Sequence, residues 1–278
     1  MSPHANWYQA KELFKSEPAL TAVFSSGKKD KPPVTVNDKR WLERKLILLA
    51  QLLKPDYFNS LATIAPASKY FERDFSGAEE DANFILDNLI QIMEIKGWDG
   101  NLKFHSNQPI QLSYGIASVP AEGLSNIWNN PPGSYVESES GVREIWIEAG
   151  MLESKEGLIA AIARQLGHHK LIVEEGIYNI NNKNELLADL MCIVFGLGIF
   201  LGNSYFMCSQ WDAAGYSGWK MRRTGCLPEQ TIAYAMAWLA HYRDEDISWT
   251  HYLNKTMRKY FDQSYKYIAQ NKDSVKWG

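Results

Sequence analysis

The chain has 278 residues, of which 45% are hydrophobic, and a formal net charge of −3. This length and composition are sufficient for a large buried core in one or two domains. The slightly negative charge, with basic residues dispersed along the sequence, argues against broad nucleic-acid binding. The three cysteines, Cys192, Cys208 and Cys226, have no C-x-x-C spacing, which favours reduced thiols in a cytoplasmic protein.

The first residues lack a basic segment followed by an apolar one, so we expect no signal peptide. The stretch from Leu190 to Gln210 carries no charge and approaches the length of a transmembrane helix. Its compactly apolar part ends near Leu201, and polar or small residues such as Gly202 and Asn203 follow. We therefore predict a buried helix here and no membrane insertion.

Helical patterns dominate the first hundred residues. Residues 7–24 predict a short helix, and a polar, Pro-containing link from Ser25 to Lys39 follows it. The stretch from Arg40 to Leu53 is rich in Leu, Ile, Lys and Arg, which is typical of a helix. Ser76-Gly77-Ala78-Glu79 resembles a capping box, which predicts a helix from there to about Lys96.

Strand patterns are concentrated between about residues 101 and 149. Leu102 to His105 and Ile110 to Tyr114 predict short strands. Pro131-Pro132 and Gly133 are typical of a turn. The alternation from Val142 to Glu148 makes this segment the best strand candidate.

The remainder of the chain is again predicted to be helical. The expected helices span about residues 154–170, 184–201, 228–243 and 248–270. Pro228 suits a first helical position, and Ser248 suits an N-cap. The sequence therefore predicts an α+β fold that is mainly helical, with a helix pair beside a small β-sheet. We divide it into an N-terminal mainly helical region, 1–98, and a second domain, 99–278, with one continuous globule as the alternative.

The most informative segment is Ile162-Ala163-Arg164-Gln165-Leu166-Gly167-His168-His169. In the helix motif H-E-x-x-H, two histidines one turn apart ligate zinc, and the glutamate between them polarises the attacking water. Here Arg164 stands at the position of the first histidine and Gln165 at that of the glutamate. Only His168 keeps its residue type.

This segment, which follows a predicted strand, resembles the active-site helix of gluzincin zinc metallopeptidases, where the motif is commonly A-H-E-L-G-H-H. In that family a glutamate on a following helix is the third zinc ligand, often within N-E-x-x-x-D or E-x-x-A-D. Asn184-Glu185-Leu186-Leu187-Ala188-Asp189 resembles this second half. Glu185 matches the ligand, and Asp189 matches the carboxylate that supports the site. The resemblance covers about residues 142–201 and implies a zincin-like helix pair.

The replaced residues argue against the chemistry of that family. Zinc hydrolysis needs three protein ligands and an open position for water. Arg164 is permanently protonated and has no lone pair to donate, so it cannot ligate a cation. Gln165 cannot accept a proton from water, and loss of a general base typically costs about 10²–10⁴ in rate. We therefore expect no metal or other cofactor, and interpret His168 and Glu185 as a vestigial metal site.

The sequence also predicts what replaced the metal. Residues 164 and 168 share one helix face, and residues 185 and 189 share another. If the two helices pack together, the guanidinium of Arg164 enters the position of the lost cation. We predict a salt bridge from Arg164 to Glu185 or Asp189, because a buried carboxylate needs a compensating partner.

A purely structural interpretation stays open. Two histidines near the C-terminus of a helix suit its dipole, and His169 lies about 100° around the helix from His168. His169 is then a packing or surface residue, and Glu185 only a residue of a first helical turn.

Three functions follow from these interpretations. The first is a catalytically inactive, metallopeptidase-like protein, a pseudoenzyme that binds a protein or peptide partner. The second is a residual hydrolase with zinc held by His168, Glu185 and perhaps Asp189. The third is an unrelated structural or interaction protein. The oligomeric state and the partner's identity are not readable from the sequence.

Overall fold

The computed structural model describes residues 31–105, 116–117, 132–137, 141–177, 184–213, 216–223, 225–275 and 277. The helix predicted at 7–24 and the strand predicted at 110–114 lie outside these residues. The described part is an α+β fold dominated by helices, as the sequence predicts.

Eight α-helices are present in the described residues. They are α1 (Val36–Leu52), α2 (Pro55–Ser60), α3 (Glu79–Ile92), α4 (Lys155–His169), α5 (Asn184–Val194), α6 (Gly198–Asn203), α7 (Glu229–Tyr242) and α8 (Lys255–Gln270). Short 3₁₀ segments add single turns at Lys69–Phe71, Ala149–Glu153, Ser248–Tyr252 and Lys272–Ser274. A π-helical turn, Lys170–Glu174, continues α4.

The strands form two separate sheets. The first contains β1 (Asn101–His105), β2 (Ile116–Ala117), β3 (Gly133–Glu137) and β4 (Arg143–Glu148) in the order β1-β4-β3-β2. β1 is parallel to β4, whereas β3 is antiparallel to both β4 and β2. The second sheet is a hairpin of β5 (Phe206–Ala213) and β6 (Tyr216–Arg223).

Helix α4 lies at the centre of the molecule. It packs against α3, α5 and α6, and against strands β3 and β4 of the four-stranded sheet. Every residue from Gly157 to His169 is buried, so this helix has no solvent face along most of its length. Such a helix is stabilised by packing on all sides, and any charged side chain on it needs a partner within the fold.

One hydrophobic core extends from Val34 to Val275 and includes residues on both sides of position 98. Helix α1 reaches this core through contacts with α5 and α7. A buried hydrogen bond reinforces the α1–α7 contact, since the Tyr234 hydroxyl donates to Glu43 Oε1 over 2.8 Å. Within the described residues, no helix combines the length and apolar character needed to cross a bilayer.

Two predicted helix starts were wrong because other side chains cap them. Ser76 is not the N-cap of α3: the helix begins after Ala78, and Asp81 reaches back to accept hydrogen bonds from the backbone N–H groups of residues 76–78. Ser248 opens only a 3₁₀ turn. Asn254 caps α8, since its side chain accepts from the N–H of Met257 over 2.9 Å.

Other boundaries differ for local reasons. Helix α1 begins four residues before the predicted Arg40, because Thr35 caps it by accepting from the N–H of Asp38. Helix α3 ends at Ile92 rather than near Lys96, and Glu94 follows with a positive φ of 46°. Pro228 precedes α7 as its N-cap instead of occupying the first turn.

The predicted helix at 184–201 and the predicted turn at Gly133 were also wrong in part. The helix is interrupted after Val194 and restarts as α6, because Gly196 takes a left-handed φ of 84°. Gly133 is the first residue of strand β3, where it pairs with Ile147 of β4. Sequence alternation did not reveal β3, because buried and partly buried residues do not alternate strictly along it.

Candidate functional site

The candidate site lies between α4 and α5, which pack directly against each other. The start of α4 is fixed by Ser154, whose side chain accepts from the N–H of Gly157 over 3.2 Å. Three turns later the helix carries Arg164 and His168, while the first turns of α5 carry Glu185 and Asp189. The structure brings these four predicted residues together.

The guanidinium of Arg164 is the centre of the arrangement. Its Nε donates to Asp189 Oδ1 over 2.6 Å, and its Nη2 donates to Glu185 Oε2. The Arg164 side chain is only 1% exposed. The predicted salt bridge is therefore confirmed, and Arg164 pairs with both carboxylates rather than with one.

Asp189 is completely buried and uses both oxygens. Oδ1 accepts from Arg164, and Oδ2 accepts from the backbone N–H groups of Cys226 over 2.5 Å and Leu227 over 2.8 Å. The segment before α7 therefore closes over this carboxylate. A buried charge with one ionic and two backbone partners is well compensated.

Glu185 forms the outer side of the site, with a side chain that is 27% exposed. His168 lies next to it, with Nε2 3.4 Å from Glu185 Oε2. This is an ion-pair distance without hydrogen-bond geometry, and neither ring nitrogen of His168 has a hydrogen-bond partner among the described residues. The imidazole itself is only 1% exposed.

A thiol completes the group. Arg164 Nη2 also donates to Cys226 Sγ over 3.2 Å. We name the five residues Arg164, His168, Glu185, Asp189 and Cys226 the Arg164 cluster. The Cys226 thiol contacts the Arg164 guanidinium, which contacts the Glu185 carboxylate, and this carboxylate lies next to the His168 imidazole. Glu185 and Cys226 are partly exposed.

Burial and charge act in opposite directions on the ionisable groups of the cluster. Burial alone would raise the pKa of Glu185, but the Arg164 guanidinium and His168 outweigh it and lower that pKa well below its usual range. Burial alone would lower the pKa of Arg164, but Glu185 and Asp189 outweigh it and raise that pKa well above its usual value. Both partners are therefore held in their charged forms.

Close backbone contact makes the pairing possible. A Cβ on Gly167 would lie 3.0 Å from the carbonyl oxygen of Ala188, so α4 and α5 approach more closely here than larger residues permit. A Cβ on Gly225 would lie 3.0 Å from Asp189 Oδ2. These two glycines let Arg164 and the chain before α7 reach the same carboxylate.

Gln165 and His169 point to other neighbours. Gln165 is 1% exposed, and its Nε2 lies 3.0 Å from where a Cβ would stand on Gly133, at the start of β3. His169 is fully buried, with Nδ1 3.1 Å from the Tyr135 hydroxyl and its ring edge-on to Trp98. Burial lowers the pKa of His169. His169 is a packing residue, in agreement with its position 100° from His168.

The residues present do not fit a zinc ion. Arg164 brings a positive charge against both carboxylates, and Asp189 has no oxygen left without a partner. Among the described residues, no three His, Cys, Asp or Glu side chains are placed to share one metal ion.

Sequence reasoning did not assign Cys226 or Leu227 to the site. They lie 37 and 38 residues beyond Asp189, and no motif connects them to it. Their contribution depends on how the segment between β6 and α7 folds back over α5. No sequence pattern carries that information.

No known protein family, curated protein or solved structure matches this chain. The likeness to gluzincins therefore rests on the motif residues themselves.

Proposed function

We propose that this protein is a non-catalytic, metallopeptidase-like protein that acts by binding a protein or peptide partner. The observation that carries the proposal is the buried guanidinium of Arg164 between Glu185 and Asp189. Its charge stands where the resemblance places a zinc ion. An internal cation compensates the same carboxylates but cannot polarise water or a peptide carbonyl as a Lewis acid.

The residual hydrolase is the weaker candidate. It requires His168, Glu185 and Asp189 to share a metal, but Arg164 already engages both carboxylates. A divalent ion would have to displace Arg164 from a site where that side chain is 1% exposed, leaving its charge without a partner.

Introducing the H-E-x-x-H residues tests whether the Arg164 cluster stands in the position of a zinc site. We expect the purified wild-type protein to contain no stoichiometric zinc and to cleave no peptide in a mixed peptide pool. The double variant Arg164→His/Gln165→Glu should bind about one zinc per chain, because it supplies the H-E-x-x-H ligands opposite Glu185. The matched control Gln165→Glu keeps Arg164 and should remain free of zinc.

The outcomes separate the candidates. Stoichiometric zinc in the wild type, with cleavage that a chelator abolishes, would overturn the non-catalytic proposal. A double variant that folds, as judged by circular dichroism, but binds no zinc would contradict the placement of the Arg164 cluster at the position of a zinc site. Metal content is measured by elemental mass spectrometry of the purified protein, which requires no binding partner.

The hairpin β5–β6 supports peptide binding. In the part of the chain that the structure describes, each of its strands pairs only with the other, which leaves an outer edge on both. Such edges accept an added strand through backbone hydrogen bonds. We expect peptides selected from a random library to slow hydrogen exchange in residues 206–223. Selected peptides that protect other segments alone would contradict this location.

A further inference from the structure

The thiol of Cys226 is positioned unlike that of Cys192. Cys192 is 1% exposed, and burial raises the pKa of its thiol well above the usual range. Cys226 is partly exposed and receives a hydrogen bond from Arg164 Nη2 over 3.2 Å. A permanently charged donor aimed at sulfur stabilises negative charge that develops on it.

We propose that Cys226 is an oxidant-sensitive thiol, which a hydroperoxide converts to a sulfenic acid held by Arg164. The proposal does not depend on the proposed function, because it concerns the reactivity of the cluster whether or not the protein binds a partner. Reactive cysteines are found in partly exposed positions with a cationic neighbour, and Cys226 meets both conditions.

His168 is a second, independent observation at this place. Its ring is 1% exposed, neither ring nitrogen has a hydrogen-bond partner among the described residues, and Nε2 faces Glu185 at 3.4 Å. A buried imidazole that makes no hydrogen bond is costly, and it leaves the cluster with hydrogen-bonding capacity to offer an added polar group. Guanidinium and imidazole both converge on Glu185, next to the thiol.

The charge of Arg164 is not available to sulfur without competition. Glu185 and Asp189 neutralise it, so the activation rests on the directed N–H group rather than on a positive field. Asp189 is held in addition by the N–H groups of Cys226 and Leu227. Glu185, which shares Nη2 with the sulfur, is therefore the carboxylate that an added oxygen would displace.

The reaction is balanced with a hydroperoxide as the only co-reactant. Sulfur attacks one peroxide oxygen, an S–O bond forms and the O–O bond breaks. The departing alkoxide, or hydroxide when the co-reactant is hydrogen peroxide, takes up the thiol proton and leaves as an alcohol or as water. Sulfur is oxidised by two electrons and the peroxide is reduced by two. The new oxygen then accepts from Arg164 Nη2 in competition with Glu185.

The first test measures alkylation of the full chain by iodoacetamide at pH 7, folded and in denaturant, with adducts quantified for each cysteine by mass spectrometry. We expect Cys226 to react faster in the folded protein than in the unfolded chain. Cys192 is the internal control. It should react at least about tenfold more slowly in the folded protein than in the unfolded chain, because burial disfavours its thiolate. A Cys226 rate at or below that of the unfolded chain would overturn the proposal.

The second test identifies the product. Folded protein carrying Cys208→Ser is treated with hydrogen peroxide and then with a 1,3-diketone that traps sulfenic acid. The diketone adduct should form on Cys226 and be lost in Cys208→Ser/Cys226→Ser. No adduct, or an adduct on Cys192 alone, would contradict the proposed site.

Discussion

At the residue scale, Arg164 and Asp189 form an ion pair in which neither side chain is more than 1% exposed. Replacing Arg164 with methionine keeps similar bulk but leaves the Asp189 carboxylate with backbone donors only. Removal of one partner from a buried pair typically costs about 3–5 kcal/mol. We expect Arg164→Met to lower the free energy of unfolding by that amount, measured by urea denaturation at pH 7.

The matched control for this substitution is Arg258→Met. Arg258 pairs with Asp262 one turn away, but the two side chains are 42% and 54% exposed. A solvated pair of this kind contributes less than about 1 kcal/mol. Equal losses in the free energy of unfolding for the two variants would show that the Arg164–Asp189 pair is not buried in solution.

The acidic side of the stability profile depends on Glu185. Because Arg164 and His168 lower its pKa in the folded protein against the effect of burial, its contribution is present above the unfolded pKa of about 4.3. That contribution is lost as pH falls from there towards the folded pKa. We expect Glu185→Gln to cost about 1–3 kcal/mol at pH 7 and progressively less below pH 4.

Denaturation at several pH values between 3 and 7 measures this convergence, with Glu72→Gln as an exposed control. The difference in the free energy of unfolding between the wild type and Glu185→Gln should shrink as the pH falls. A difference that stays constant, or widens on acidification, is incompatible with a lowered pKa at Glu185.

Single residues also show how far sequence reasoning reached. The contacts of Arg164 followed from helix geometry and from the cost of an unpaired buried carboxylate. The contacts of Cys226 did not, because they join segments far apart in the chain. The sequence predicted a bond from Arg164 to Glu185 or to Asp189, but not to both. That both carboxylates are within reach depends on the close approach of α4 and α5 at Gly167, which the sequence does not specify.

At the scale of elements, the interruption between α5 and α6 is set by Gly196. This residue has a φ of 84°, and a Cβ on it would lie 2.1 Å from the carbonyl oxygen of Ala62. We expect Gly196→Ala to cost more than about 2 kcal/mol, because a left-handed conformation and a backbone clash add together. Thermal or urea unfolding of the purified variant measures the loss.

Gly97 provides the control for backbone strain alone. Its φ is 60°, but nothing lies within 4 Å of the position that a Cβ would occupy. Gly97→Ala should therefore cost only about 1–2 kcal/mol. If Gly97→Ala is as damaging as Gly196→Ala, the close approach of Ala62 is not what fixes the break.

Helical periodicity located most elements but not their ends. The helix bearing Arg164 was predicted at about 154–170 and observed at Lys155–His169, since Ser154 is a strong capping residue. The break at Gly196 was missed because apolar residues continue on both sides of it. Tertiary contact with Ala62, rather than local propensity, decides that boundary.

At the scale of the whole molecule, one core joins the region before residue 98 to the region after it. Leu42 in α1 and Leu158 in α4 are both fully buried members of that core. The α1–α7 contact includes the buried Tyr234–Glu43 hydrogen bond, and Arg243 at the end of α7 donates to the carbonyl oxygens of Phe58 and Val194. Polar and apolar contacts thus cross the predicted domain boundary.

Shared packing of this kind predicts cooperative unfolding. We expect Leu42→Ala and Leu158→Ala each to cost about 2–5 kcal/mol, through lost burial and a residual cavity. Because the two leucines belong to one core, each variant should shift a single transition as a whole. Urea denaturation followed by both far-ultraviolet circular dichroism and tryptophan fluorescence measures this. Two transitions, of which Leu42→Ala moves one and Leu158→Ala the other, would instead show that residues 1–98 and 99–278 unfold as independent domains.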